Sequence, residues 1–263
     1  MNCNPANPKG TGVVNVWQET FPVRFGEIDK SDKLTLDAVF KFFQEAAISH
    51  AENLGVGRED MASKGQGWVL SRMSVLVDRR PAYCENITIR SWPCGFEKLF
   101  AIRDYQIIGN DEKAVVSARS AWLVVDIEKR RPLRPQSVME FLPLNEGQGV
   151  FSPDVGAVTG LADRGNLQKI EERKALYNDL DFNGHVNNIS YIKWIEDALD
   201  LQVLEKAGKM RLDINYISEI MGGEMIDILF APIDDTAGTA FAFAGQKKEN
   251  GQMAFKVELR LWE

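Results

Sequence analysis

Between Leu176 and Ala198 the chain reads LYNDLDFNGHVNNISYIKWIEDA, a run that gathers acids, asparagines and one of only two histidines in the protein. Asp179, Asp181, Asn183 and His185 recur at every second position, so an extended backbone puts these four side chains on one face. Asn187 or Asn188 is a good N-cap for a helix whose apolar stripe is Ile189, Ile192, Ile195, Leu199 and Val203. A carboxylate, an amide and an imidazole thus meet at the positive end of a helix, where a developing oxyanion is stabilised. The plain alternative is that acids and asparagines ahead of a helix serve as turn and cap residues.

The elements that must hold this segment come in two sets. Thr35 is placed to cap a helix over roughly Leu36–Asn53, ended by Gly55, with Val39, Phe40, Phe43, Ala47 and Leu54 as its buried stripe. His50 falls near that stripe and reads as a hydrogen-bonded structural histidine. The connection Gly55–Gly67 leads to strands near Trp68–Asp78, Asn86–Trp92, Phe100–Ile108 and Ala114–Val125. Ahead of the helix, Val13–Val16 and Phe21–Phe25 read as strand, with Pro22 marking an edge or a bend.

These elements return in the second half. The shift that lays Asp29 on Asp181 also lays Lys41 on Lys193 and Ala46 on Ala198. Further on, a smaller shift lays Arg72 on Arg211 and Glu85 on Glu224, which places extra residues of the first copy within Gly55–Gly67. Each copy is then a long helix followed by an antiparallel meander, an α+β unit, and two such units can join their sheets edge to edge. Opposite Asn183 and His185 the first copy carries Ser31 and Lys33, so one site per chain is expected, in the second copy.

Composition narrows the function classes. With 263 residues, 44% of them hydrophobic and 26% charged, the chain can bury a sizeable core. A net charge of −7 gives no general attraction to nucleic acid or to an anionic membrane. No apolar run reaches the length of a membrane span, and the N-terminus has no signal-peptide pattern. Three cysteines (Cys3, Cys84 and Cys94) leave at least one unpaired and fit a reducing cytoplasm; a Cys84–Cys94 contact across a hairpin is the alternative to separate thiols. Two distant histidines without CxxC or HxxxH argue against a metal site, and nothing calls for a cofactor.

The run DLDFNGHVNNISYIKWIED resembles the signature of the fatty acyl-ACP thioesterases, which carry two hotdog domains in one chain. FQEAAISHAENLG (Phe43–Gly55), WVLSRMSVLVDRRP (Trp68–Pro81) and SAWLVVDIEKRRPLRP (Ser120–Pro135) resemble the same family's first helix, next strand and end of first domain. The resemblance implies two tandem hotdog domains, each a long helix wrapped by an antiparallel sheet, over 1–135 and 166–263 with a linker at 136–165. It also implies hydrolysis of fatty acyl-acyl carrier protein in fatty acid biosynthesis, in the cytoplasm, without cofactor. The family's DxNxH motif falls on Asp181, Asn183 and His185. Its glutamate, in the strand after the second helix and three residues beyond a tyrosine, falls on Glu219 after Tyr216. Many plant members have a cysteine directly after that glutamate; here Ile220 stands there, which excludes a catalytic thiol at that position. Plant members also carry a transit peptide and a hydrophobic anchor missing from this sequence, so a bacterial-type enzyme is expected.

In that scheme Glu219 is the general base on water, with a covalent anhydride as the variant. Asn183 positions the water or the carbonyl, and His185, held by Asp181, orients Glu219. Helix-start amides near Asn187–Ile189 receive the oxyanion. Taken without the family, Glu219 reads equally as an exposed strand acid. The family's acyl channel lies mainly in the first domain, where Phe43, Ala47, Trp68, Met73 and Trp92 are its candidates, each equally an ordinary core residue. Lys129, Arg130, Arg131 and Arg134 are placed to meet an acidic carrier protein or the phosphate of its pantetheine arm; a solvated basic loop is the alternative. Rival readings are an acyl-CoA thioesterase, a hotdog dehydratase, and a non-catalytic acyl-binding module. The chain can act as a monomer or a homodimer.

Overall fold

The computed structural model describes residues 12–143, 145, 155, 158, 167–233 and 238–262; Cys3 and most of the expected linker lie outside them. The first half runs β1 (Trp17–Pro22), α1 (Leu36–Asn53), α2 (Arg58–Ser63), β2 (Gln66–Val77), β3 (Asn86–Glu97), β4 (Phe100–Ile108), β5 (Ala114–Asp126), β6 (Arg131–Leu133) and α3 (Gln136–Met139). The second runs β7 (Gln168–Lys174), α4 (Asn188–Ala198), α5 (Leu201–Lys206), β8 (Lys209–Tyr216), β9 (Met225–Ile233), β10 (Thr239–Lys247) and β11 (Met253–Trp262). All pairing is antiparallel, in the order β1-β3-β4-β5-β2-β8-β11-β10-β9-β7, with β6 added to β5. The chain is two tandem hotdog units of α+β class, each sheet curled on its long helix.

The two sheets merge where β2 pairs with β8, from Arg72↔Asn215 to Val77↔Met210. Each strand would otherwise be an open edge, so the junction removes two rows of unpaired amides and carbonyls. Ser74 and Asp213 face each other in that register, and Ser74 Oγ donates to Asp213 Oδ1 at 2.5 Å. One apolar core runs through both units, from Phe43, Met73 and Ile107 to Ile192, Leu212 and Phe255.

Local sequence explains the helix limits. Thr35 Oγ1 accepts from the Ala38 amide at 3.3 Å and starts α1, and Gly55, at φ +70°, turns the chain after it. The extra residues of the first copy form α2, as the change of offset requires. The apolar stripe that reads as one helix through Val203 is broken after Ala198: Leu199 is extended, and Asp200 accepts from the Gln202 amide at 2.9 Å to cap α5. A new N-cap outcompetes continued periodicity there. Val13–Val16 is not strand either; Val13 and Val14 are exposed, and the Val14 carbonyl instead accepts from His50.

α1 and α4 pack together, and Glu196 of α4 reaches the N-terminus of α1. Its two carboxylate oxygens accept from the Leu36 amide at 2.8 Å and the Asp37 amide at 3.0 Å. Burial, with the nearby Asp37 charge, pushes Glu196 up to about 8, although the two amides and Arg80 pull the other way. Part of the residue keeps some surface, but its carboxylate is enclosed. A carboxyl whose folded value is raised binds its proton more tightly in the folded state. Its contribution to stability is therefore complete at low pH and is lost as pH rises from about 4.5 to about 8. The unfolding midpoint of the wild type should fall more than that of E196Q between about pH 5 and about pH 9. Parallel pH curves for the two proteins would show that Glu196 is ionised throughout.

Candidate active site

The segment carrying the polar run is not extended. Tyr177–Asp179 is a 3-10 turn, and the next residues close a tight loop in which the Asp181 amide donates to the His185 carbonyl at 2.7 Å. Gly184 takes φ +77°, a left-handed conformation that glycine adopts without steric cost. The four polar side chains therefore do not share a strand face. Asp179 is structural: it accepts from the Leu176 amide at 2.8 Å and from Trp194 Nε1 at 3.1 Å. Asp181 Oδ1 accepts from the Asn183 amide at 2.8 Å and the His185 amide at 3.1 Å, and Asn183 Nδ2 stands 3.5 Å from Asp181 Oδ2. The expected support of His185 by Asp181 is thus made through the backbone.

Glu219 lies beyond the end of β8, not inside a strand. Its loop is brought to the turn by backbone pairing: the Val186 amide donates to the Ile220 carbonyl at 2.8 Å, and His185 bridges Met221. The Gly222 amide donates to the Gly184 carbonyl at 3.1 Å, and a Cβ on Gly222 would meet Leu180 at 2.8 Å. Glu219 Oε2 ends 3.7 Å from His185 Nε2, with the glutamate side chain 51% exposed and the histidine 24%. Tyr216, at the end of β8, donates from its hydroxyl to the Asn188 carbonyl at 3.3 Å, and its ring packs on Tyr191. Burial raises the phenols of both tyrosines, so they are neutral supports of this corner. Asn187 caps α4, its Oδ1 accepting from the Ile189 amide at 3.0 Å, while its own amide donates to the Asp179 carbonyl at 2.8 Å.

The same scaffold recurs in the first half with other side chains. Asp29 Oδ1 accepts from the Ser31 and Lys33 amides at 2.8 and 3.2 Å, Asp32 takes φ +60°, and the Leu34 amide donates to the Pro81 carbonyl at 2.8 Å. Arg80 stands where Glu219 stands in the second half. It is buried, donates to Asp29 Oδ2 at 2.5 Å and to the Leu204 carbonyl at 3.0 Å, and so converts the equivalent place into a fixed ion pair. Extending the repeat beyond Ser31 and Lys33 would have found that exchange.

Two contacts of the site were not read from sequence. Arg130, on the β5–β6 turn, has Nη1 3.8 Å from Glu219 Oε2. Arg58, which opens α2, stacks its guanidinium 3.6 Å over the ring of Phe182, inside the site turn. Both come from the first half, and long-range arginine contacts leave no spacing signal. Lys129, Arg131 and Arg134 are exposed around Arg130.

The channel candidates are divided. Phe43, Ala47 and Met73 are in the main core; Trp92 is buried with its Nε1 unpartnered. Trp68 packs on a second apolar cluster of Leu54, Val56, Met61, Val124, Val138 and Leu142, and donates from Nε1 to the Val56 carbonyl at 2.9 Å. Two open surface recesses, one around Gly222–Met225 and one around Leu99 and Met139, are bordered by none of the five.

The remaining reactive types are quiet. His50 is fully buried, with Nδ1 3.1 Å from Arg103 and Nε2 2.8 Å from the Val14 carbonyl; burial and then Arg103 push it down to about 4. Burial and then the Asp104 charge push the Cys94 thiol up to about 12, so it is no nucleophile at neutral pH. Among the described residues no His, Cys, Asp and Glu cluster could hold a metal, and no helix is long and apolar enough to cross a membrane.

A doubled hotdog with one intact and one ion-paired copy of the same turn defines the class. Comparison with known proteins defines the family. The Acyl-ACP thioesterase N-terminal domain matches residues 14–140 and the Acyl-ACP thioesterase C-terminal domain matches residues 164–262. The chain belongs to the acyl-ACP thioesterase family. It is 28% identical over 257 residues to a chloroplastic palmitoyl-acyl carrier protein thioesterase of Cuphea hookeriana, covering 90% of this chain and 60% of that one. It is 23% identical to the chloroplastic oleoyl-acyl carrier protein thioesterase 2 of Arabidopsis thaliana, covering 94% and 73%. The chain spans only half to about three fifths of several plant relatives it matches. In fold it is similar to an acyl-ACP thioesterase from Bacteroides thetaiotaomicron (TM-score 0.79, 24% identity, 94% and 98% covered). It is also similar to the 12:0-ACP thioesterase of Umbellularia californica (TM-score 0.81, 20% identity, 94% of each chain).

Because Asp181 grips two backbone amides, its loss should cost stability before it costs chemistry. D181A should lower the unfolding free energy by about 1–2 kcal/mol, whereas D181N, which keeps an acceptor oxygen, should stay near wild type in denaturant titration. Equal losses in both variants would mean that the charge, not the turn, is what Asp181 supplies.

Proposed function

We propose that the chain hydrolyses the thioester of a fatty acyl group carried on acyl carrier protein, releasing the free acid and the carrier thiol as a step of fatty acid biosynthesis. The observation that carries this reading is the approach of Glu219 to His185 beside the start of α4, in a chain of this family. A thioester carbonyl is already electrophilic and its leaving thiol has a pKa of roughly 8.5, so little acid assistance is needed. What must be supplied is an activated water and a place for the oxyanion.

In this scheme Glu219 takes a proton from water as its oxygen attacks the thioester carbon. Collapse of the adduct breaks the C–S bond, and the proton leaves with the thiol. His185 orients Glu219 and relays the proton, and Asn183 holds the water or the carbonyl. The Asn187 and Ile189 amides are already engaged, which makes the Asn188 amide the oxyanion donor. Its counterpart in the first half is the Leu36 amide, which donates to a carboxyl oxygen of Glu196 at 2.8 Å; that supports the capacity of this position to hold a carbonyl-type oxygen.

The acyl tail lies in the first half along Phe43, Ala47, Trp68, Met73 and Trp92. Trp68 packs there on the cluster of Leu54, Val56 and Met61. Arg130, beside Glu219, and the exposed Lys129, Arg131 and Arg134 meet the acidic carrier. The free thiols of Cys84 and Cys94 support a reducing, cytoplasmic setting.

The test follows thiol release from matched acyl-ACP and acyl-CoA series. The wild type should prefer the carrier-bound substrates, and E219Q should lose about 10²–10⁴-fold in kcat while keeping the wild-type melting temperature. Undiminished turnover by E219Q removes the carboxylate from the mechanism. Preference for acyl-CoA makes this an acyl-CoA thioesterase, and dehydration of a 3-hydroxyacyl substrate without thiol release makes it a dehydratase. Binding without turnover leaves an acyl-binding module.

A further inference from the structure

Arg130 belongs to two groups of residues at once. It sits with Lys129, Arg131 and Arg134 on the exposed β5–β6 turn, and its guanidinium also faces the carboxylate assigned to catalysis. One oxygen, Glu219 Oε2, stands 3.8 Å from Arg130 Nη1 and 3.7 Å from His185 Nε2. Neither separation is a hydrogen bond, so the oxygen is held between a cation from the first half and an imidazole from the second. The turn that presents Arg130 is braced: Asp126 Oδ1 accepts from the Lys129 amide at 2.8 Å, and Arg130 takes φ +50°, a conformation that costs energy in a non-glycine residue. Tyr191 is buried with a raised phenol, and Asp181 is turned to its own backbone amides.

We propose that Arg130 is a positioning residue that holds Glu219 away from His185 until an acidic carrier surface draws its guanidinium off. This rests on the thioesterase reading. An ion pair so exposed, with Arg130 at 80%, is weak and salt-screened, so a second anion can displace the carboxylate. Docking that engages Lys129, Arg131 and Arg134 takes Arg130 with it. Glu219 then closes on His185 and accepts the proton of water; the release itself makes and breaks no covalent bond. The consequence is carrier-dependent activation expressed in kcat: the same acyl chain turns over faster on the carrier than on free pantetheine, even at saturation.

The test measures kcat and KM for an acyl-ACP and for the matching acyl-pantetheine with the wild type, R130Q and R130K, at low and at high salt. On acyl-pantetheine, R130Q should raise kcat about two- to five-fold, the factor an exposed ion pair can supply. It should also abolish the rise in kcat that salt produces in the wild type. R130K should restore that salt response, and R130Q should raise KM for acyl-ACP. An effect of R130Q confined to KM for acyl-ACP makes Arg130 a docking cation and overturns the proposal. A fall in kcat on both substrates means the guanidinium assists the chemistry and overturns it too. A wild type that cleaves neither substrate removes the thioesterase reading, and the positioning role with it.

Discussion

The structure of the site depends on a short piece of backbone pairing between the turn before α4 and the loop after β8. The Val186 amide on the Ile220 carbonyl, with the bridge from His185 to Met221, fixes where Glu219 can be. Neither segment belongs to a long strand. Each is held instead by what flanks it: Asp181 closes the turn from inside, and the ring stack of Tyr216, Tyr191 and Phe255 seats the loop against α4. A carboxylate and an imidazole that are more than thirty residues apart in sequence are thereby set side by side without a direct bond between them. Small shifts of the loop can then bring them together, which a rigid hydrogen bond would not permit.

The first half is the control that the molecule carries within itself. The same turn, the same cap position and the same backbone pairing are present around Asp29, Thr35 and Pro81. There the pocket is closed by chemistry of the opposite kind. Arg80 takes the place of Glu219 and locks onto Asp29, and the Glu196 carboxylate occupies the first amides of α1. What distinguishes the two copies is the choice of a few side chains on a shared backbone, and the Glu196 contact of the first copy ties α4 to the start of α1.

Much of this was legible in sequence, for identifiable reasons. The limits of α1 follow from Thr35 and Gly55, and the duplication follows from Asp29, Lys41 and Ala46 against their second-half partners. Period-two spacing misled at Asp179–His185, because Gly184 and the Asx-type bonds of Asp181 make a turn of what alternation presents as a strand. The helix stripe misled at Leu199, because Asp200 starts a new helix. The nearness of Arg130 to Glu219 and of Arg58 to Phe182 was not legible, since both contacts cross between the halves. The proposed acyl channel is the least legible part: buried apolar residues at strand and helix spacing look the same whether they fill a core or line a cavity.

The central claim is that Glu219 and His185 act as one unit on water. A double-mutant cycle on kcat, with H185Q, E219Q and the combined variant acting on acyl-ACP, addresses it most directly. Groups that work together lose their effect together, so the combined variant should be about as slow as the slower single one. Losses that multiply would mean that the imidazole and the carboxylate contribute independently, and would contradict the account.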